Sequence, residues 1–259
     1  MNTKQTAVLG TLLASALVGC GGDGKVEGQA VDFNGAKVTT WAKLDTKGVV
    51  QQVGFTIPYA SIENAGSSGS THDHEVIFIA DFPKQVSETT FINHFEFDWM
   101  PEGHPPDRNM TPHFDFHFYG VDKAAVAAVD CKNPKQADPA DIPEGWLPAI
   151  PPDVADPTAF CVPNMGYHSD PTTEYDANGA PKPGVFDKVM LAGFYDGKFT
   201  FIEPMITKAT LEQKQGFTLP VPQPKSLGRS TLYPTSFKVT YDADTKAYDF
   251  VFADFKSMQ

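Results

Sequence analysis

The chain has 259 residues and a formal net charge of −12, with 32 acidic against 20 basic side chains. This balance excludes the basic stripes that nucleic acid and anionic lipid surfaces demand, so neither is an expected partner. Twenty Phe, 22 Pro and 21 Gly point instead to short strands and turns around an aromatic interior.

Lys4 precedes the apolar run AVLGTLLASALVG, which closes at Leu17-Val18-Gly19-Cys20. A charged start, an apolar stretch of this length and small closing residues read as a secretory signal, too short for a membrane span. Cys20 after Leu-Val-Gly resembles a bacterial lipobox, whose cysteine becomes the lipidated first residue of the mature chain. An ordinary signal with an incidental cysteine is the alternative. Residues 1–20 are thus read as a lipoprotein signal, 21–35 as a flexible tether opening on Gly21-Gly22, and 36–259 as a single β domain. No sorting aspartate follows Cys20, so the expected place in a Gram-negative envelope is the outer membrane, contacted through the N-terminal lipid. In that oxidising compartment Cys131 and Cys161 are expected to form a disulfide. A thiolate metal site there lacks the CxxC spacing that would support it.

The body of the chain alternates strand and turn signals. Residues 36–44 and 49–58 read as strands around the turn Asp45-Thr46-Lys47-Gly48. A polar loop over 64–71 leads into the apolar strand 75–82, stopped by Pro83. Strands over 91–99 and 112–121 follow, joined by a Pro-rich loop. Residues 122–129 form an Ala-rich helix candidate with an acidic start. The stretch 130–183 is an irregular excursion dense in Pro, Asp and Gly, of a length usually tied to function, and placed to cover an opening in the β structure. Residues 185–193 and 198–205 make a hairpin around Tyr195-Asp196-Gly197. Residues 207–215 read as a short helix, and 236–241 with 247–255 as a last hairpin. The expected fold is all-β: a single β-barrel-like domain with the long excursion and one or two short helices. A sandwich is the alternative.

Two runs stand apart, HFEFDW at 94–99 and HFDFHF at 113–118. Strand side chains alternate between faces, so His94, Glu96 and Asp98 share one face and Phe95, Phe97 and Trp99 the other. In the second run His113, Asp115 and His117 oppose Phe114, Phe116 and Phe118. Antiparallel pairing would bring His94 near His117, Glu96 near Asp115 and Asp98 near His113; a shift of two residues would keep the face.

Three chemistries suit this polar row. In the first, it holds a metal. His113 and His117 lie about 13 Å apart on a straight strand, too far to share one ion directly. A site would then combine one of them with His104, His168 and Glu203, Asp115 bridging, a donor set suited to zinc, iron or copper. His72-Asp73-His74 is a looser candidate, better read as solvated loop. In the second, Glu96 and Asp115 work with His113 and His117 as proton carriers in an isomerase- or cyclase-like enzyme. In the third, the row is a hydrogen-bonded polar core, the rim of a small-ligand pocket, or part of a structural homo-oligomer in the envelope. No nucleophile elbow, phosphate loop or dinucleotide fingerprint points to another enzyme class.

Gly103-His104-Pro105-Pro106, the run from Pro112 to Tyr119, Val162-Pro163-Asn164-Met165-Gly166-Tyr167-His168, and Tyr195-Asp196-Gly197-Lys198 running to Glu203-Pro204-Met205 resemble an uncharacterised family of exported bacterial β-barrel proteins. The family's signature is Pro-His-Phe-Asp-Phe-His-Phe-Tyr, and the likeness covers residues 90–212. It implies a barrel fold and oligomerisation, and carries no activity with it. Members have an aromatic residue after the histidine of the Met-Gly-x-His stretch, where this chain has Ser169. Taken together, the expectation is an exported, lipid-anchored β-barrel protein that binds a small ligand or metal ion at a His/Asp/Glu-lined face.

Overall fold

The computed structural model describes residues 24–66 and 76–259. The expected signal with Cys20, and the His72-Asp73-His74 candidate, lie outside the described residues.

Strands β1 (Lys25–Phe33), β2 (Ala36–Leu44) and β3 (Val50–Pro58) form an antiparallel meander. Helix α1 (Tyr59–Glu63), β4 (Val76–Asp81) and helix α2 (Lys84–Thr89) follow. Pro58 and Pro83 stand at the N-caps of the two helices; Pro58 is the last residue of β3, and Pro83 follows β4 by two residues. Next come β5 (His94–Met100), β6 (His113–Tyr119) and helix α3 (Lys123–Ala127). Asp122 caps α3 by accepting from the Ala125 N–H, as its acidic start suggested. Then β7 (Cys161–Val162), β8 (Gly166–Ser169), β9 (Lys188–Tyr195), β10 (Lys198–Thr207) and helix α4 (Lys208–Glu212) carry the chain on. It ends in β11 (Phe217–Leu219), β12 (Thr231–Tyr233), β13 (Ser236–Asp242), β14 (Ala247–Ala253) and β15 (Lys256–Met258).

With 44% strand against 14% helix, the all-β expectation holds. Two sheets face each other, ordered β1-β2-β3-β14-β13-β11 and β4-β5-β6-β10-β9-β8-β7, and a small ladder joins β12 to β15. Barrel-like curvature is present as a curled half-barrel sheet, but neither large ladder closes on itself. The reason is the aromatic row: it is buried against a second sheet rather than in a closed lumen. Phe55 of β3 lies 4.5 Å from both Phe95 of β5 and Phe250 of β14, and Phe118 of β6 lies 4.8 Å from Phe252 of β14. At one margin the sheets are tied through Asp81, whose N–H donates to Gln29 Oε1 at 3.0 Å and whose carbonyl accepts from the Thr40 hydroxyl at 2.6 Å.

Three expectations need correction. Residues 25–33, read as tether, form β1; the strand is an edge with most side chains exposed, so it lacks the apolar alternation that marks a covered strand. Four α-helices, rather than one or two, occur among the described residues, because α1 and α2 are single turns too short to show a helical period. The β5–β6 register differs by two residues: His94 faces Tyr119, Glu96 faces His117, Asp98 faces Asp115 and Met100 faces His113. Pairing runs on to Met100, past the end of the symmetrical run, and the polar face is unchanged.

The excursion over 130–183 is ordered by a few anchors. Cys131 and Cys161 sit at disulfide distance, with Cα atoms 5.5 Å apart. Trp146 Nε1 donates to the Met190 carbonyl at 3.1 Å, and the Tyr167 hydroxyl to the Asn133 carbonyl at 3.1 Å. Arg108 pairs with Glu174, tying the excursion to the β5–β6 loop. A thiol titration of the mature protein should detect Cys131 and Cys161 only after reduction and unfolding; two reactive thiols without reductant would contradict the pairing.

Candidate metal centre

The site follows from the second face of the seven-stranded sheet. Alternation sends Phe114, Phe116 and Phe118 toward the opposing sheet, so His113, Asp115, His117 and Tyr119 of β6 point the other way. His94, Glu96 and Asp98 of β5 share that face through the ladder, and so do Phe201, Glu203 and Met205 of β10, since Ile202 and Ile206 join the core. His168 of β8 pairs with Gly193 of β9 and lies on the same side. Three strand spacings, about 14 Å in a flat sheet, separate β6 from β8. Yet the His117 and His168 rings are 6.3 Å apart, so the sheet is curled toward its polar face. That curvature makes the row a lined concavity. Two apolar groups flank it, Phe186-Val189-Leu191-Met205 and Tyr119-Val126-Met165-Phe201, and hold water back. Phe201 can lie flat there only because residue 193 is glycine: a Cβ at Gly193 would come within 2.1 Å of its ring.

The expected metal residues come together, but in two groups rather than one. His104, His113 and Asp115 form the first; His117, His168 and Glu203 form the second; each offers ligand atoms within 4.8 Å of one another. In the first, Asp115 Oδ1 is 3.2 Å from His113 Nε2 and Oδ2 is 3.5 Å from His104 Nε2. Gly103, at φ +74°, allows the β5–β6 loop to fold tightly enough to present His104: a Cβ there would meet the Asn109 carbonyl oxygen at 2.1 Å. His104 Nδ1 donates to the Pro105 carbonyl at 2.8 Å and His113 Nδ1 to the Thr111 carbonyl at 2.7 Å. A carbonyl can only accept, so both protons are placed on Nδ1, and both Nε2 atoms face the carboxylate.

In the second group Glu203 Oε1 is 3.5 Å from His117 Nε2 and Oε2 is 3.3 Å from His168 Nε2. Behind His117, Asp98 Oδ2 lies 3.2 Å from Nδ1. The choice of site residues from sequence left out Asp98, although it stands in the alternating row; only the two-residue register shift shows that it backs His117. Glu96 does not meet Asp115 as the expected pairing had it; across the ladder it faces His117. Its partner is His94, at 3.4 Å, whose ring stacks 5.0 Å from that of Tyr119.

Burial penalises charge here, and the groups answer by pairing. Burial would raise the Asp115 carboxyl, but His113 and His104 hold it well below the usual carboxylate range. Glu203 is likewise lowered by His117 and His168 against the effect of burial. Burial works to lower His117, yet Glu203 and Asp98 push it up to about 10. Burial raises Asp98 despite its contact with His117. His104 is raised, Asp115 outweighing its burial. Without metal, therefore, His117 carries a proton at neutral pH and offsets part of the buried negative charge.

The fold and this face define an all-β protein with two buried His-His-carboxylate groups, each able to hold a metal ion. No family model matches the chain, and neither a curated protein nor a solved structure matches it.

Proposed function

We propose that this is an exported, lipid-anchored all-β protein that holds a divalent transition-metal ion at His104, His113 and Asp115. The observation that carries the reading is the placement of the protons. With each Nδ1–H committed to a backbone carbonyl, two Nε2 atoms converge on one carboxylate, an arrangement that needs a cation or an added proton between them. The distances favour a cation. A charge-assisted hydrogen bond would close to about 2.7–2.9 Å. The observed 3.2 and 3.5 Å are longer, and one ligand atom from each residue lies within 4.8 Å of the others, which leaves room for an ion about 2.0–2.2 Å from each donor. Two imidazoles and a carboxylate suit zinc well, and iron or copper also. Three protein donors leave a coordination position for water or a small ligand, so metal-activated water is the chemistry such a site would supply. Anchoring at Cys20 and residence in the outer membrane rest on the lipobox-like sequence. Self-association rests on the resemblance of the PHFDFHFY run.

Metal analysis of the mature protein, purified without an affinity tag, tests the reading. It should carry a transition metal or take up zinc after chelation. His104→Ala should weaken zinc binding by more than the ~10–100-fold that losing a partner behind a ligand costs. Because Asp115 helps His104 keep its proton, zinc must displace that proton, and affinity should rise with pH through the ordinary imidazole range and above it. A protein that is isolated metal-free and refuses zinc, copper and iron would end this proposal.

A further inference from the structure

We infer that the same face takes a second, separate divalent transition-metal ion at His117, His168 and Glu203, with Asp98 as the positioning residue behind His117. This rests on the first-ion reading and extends it. Three observations carry it. The donor spacings repeat those of the first group: 3.5 and 3.3 Å from the two Glu203 oxygens to His117 Nε2 and His168 Nε2. Support behind a ligand is repeated at His117, where the Asp98 carboxylate, 3.2 Å from Nδ1, takes the place of the carbonyl used by His104 and His113; a carboxylate there orients the ring and makes it a stronger donor.

The third observation is charge. Glu96, Asp98, Asp115 and Glu203 are all buried on this face, and no lysine or arginine is buried among the described residues. The buried imidazoles of this face are the other groups available to balance them, and an ion bound at each group would take over that role. His168 is the member that reaches the surface, its side chain 20% exposed while its partners Glu203 and His117 are at 1% and 0%.

The two groups are neighbours on the sheet. Asp115 pairs across the ladder with Met205, so Glu203 stands diagonally from it, and diagonal residues lie about 7–8 Å apart. The second group, with His168 at its partly exposed rim, is the one that a small oxygen-donor ligand reaches first.

Native mass spectrometry of the mature protein, stripped with chelator and then dialysed against zinc, reads the stoichiometry directly. Two ions per chain are expected for the wild type, and one for either His168→Ala or His104→Ala. His168 lies at the partly exposed rim, so its truncation spares the fold; circular dichroism of each variant checks this, and His168→Asn gives a milder version. Asp98→Asn should keep both sites but weaken the second by ~10–100-fold. A wild type that binds one ion, retained in His168→Ala and lost in His104→Ala, would overturn the second site and leave the first standing. A wild type that binds none would overturn both.

Discussion

Asp115→Asn should release the first ion and lower the unfolding free energy by about 3–5 kcal/mol, the usual cost of removing one member of a buried charged set. Asparagine fills nearly the same volume, so the loss is electrostatic rather than a cavity. The carboxylate is fully buried and has an imidazole on each oxygen, His113 and His104. Removing its charge leaves both rings without the anion that balances a proton or a metal. Urea unfolding in the presence and absence of chelator would measure the effect. The chelator-treated variant should still be less stable than chelator-treated wild type, because the imidazoles lose their counter-charge even without an ion. Unchanged stability together with undiminished zinc binding would contradict the role given to Asp115.

Phe55→Ala is expected to cost about 3–5 kcal/mol through the cavity it opens. Its ring is wholly buried at the centre of the aromatic layer, 4.5 Å from Phe95, 4.5 Å from Phe250 and 5.1 Å from Phe116. The surrounding rings are themselves held between two sheets, so they can collapse only partly into the gap. The denaturation midpoint should fall with the slope of the transition unchanged. Phe55 lies on the opposite side of the seven-stranded sheet from the polar row, so the variant, while folded, should bind metal as the wild type does. A loss below about 1 kcal/mol, or loss of metal from a folded variant, would contradict this separation of faces.

Much of this was legible in the chain because alternation is a strong local signal. HFEFDW and HFDFHF each declare two faces, and both faces are covered, one by a second sheet and one by the curled edge of their own sheet. Arithmetic on strand rise was enough to show that His113 and His117 are too far apart to share one ion directly. His104, His168 and Glu203 were picked out as the remaining donors, but how they divide depends on contacts between residues far apart in the chain, which no local pattern reports. The pairing register was placed two residues off because the symmetry of the two runs says nothing of where the ladder ends. For the same reason the support of His117 by Asp98 stayed hidden. Strand β1 was missed because an edge strand such as KVEGQAVDF need bury little and so carries almost no pattern. Strands β7 and β8 were hidden by their brevity in a Pro- and Asp-rich setting.

The two groups also differ in how their parts are distributed along the chain. His104, His113 and Asp115 all come from one hairpin and the loop that closes it, a local arrangement that can form as soon as that hairpin does. His117, His168 and Glu203 come from three strands, and the middle member is delivered by the segment that the Cys131–Cys161 pair fastens down. The first group is thus a property of a hairpin and the second a property of the finished fold. Reduction of the Cys131–Cys161 pair, which loosens the segment leading to His168, should therefore weaken the second group more than the first.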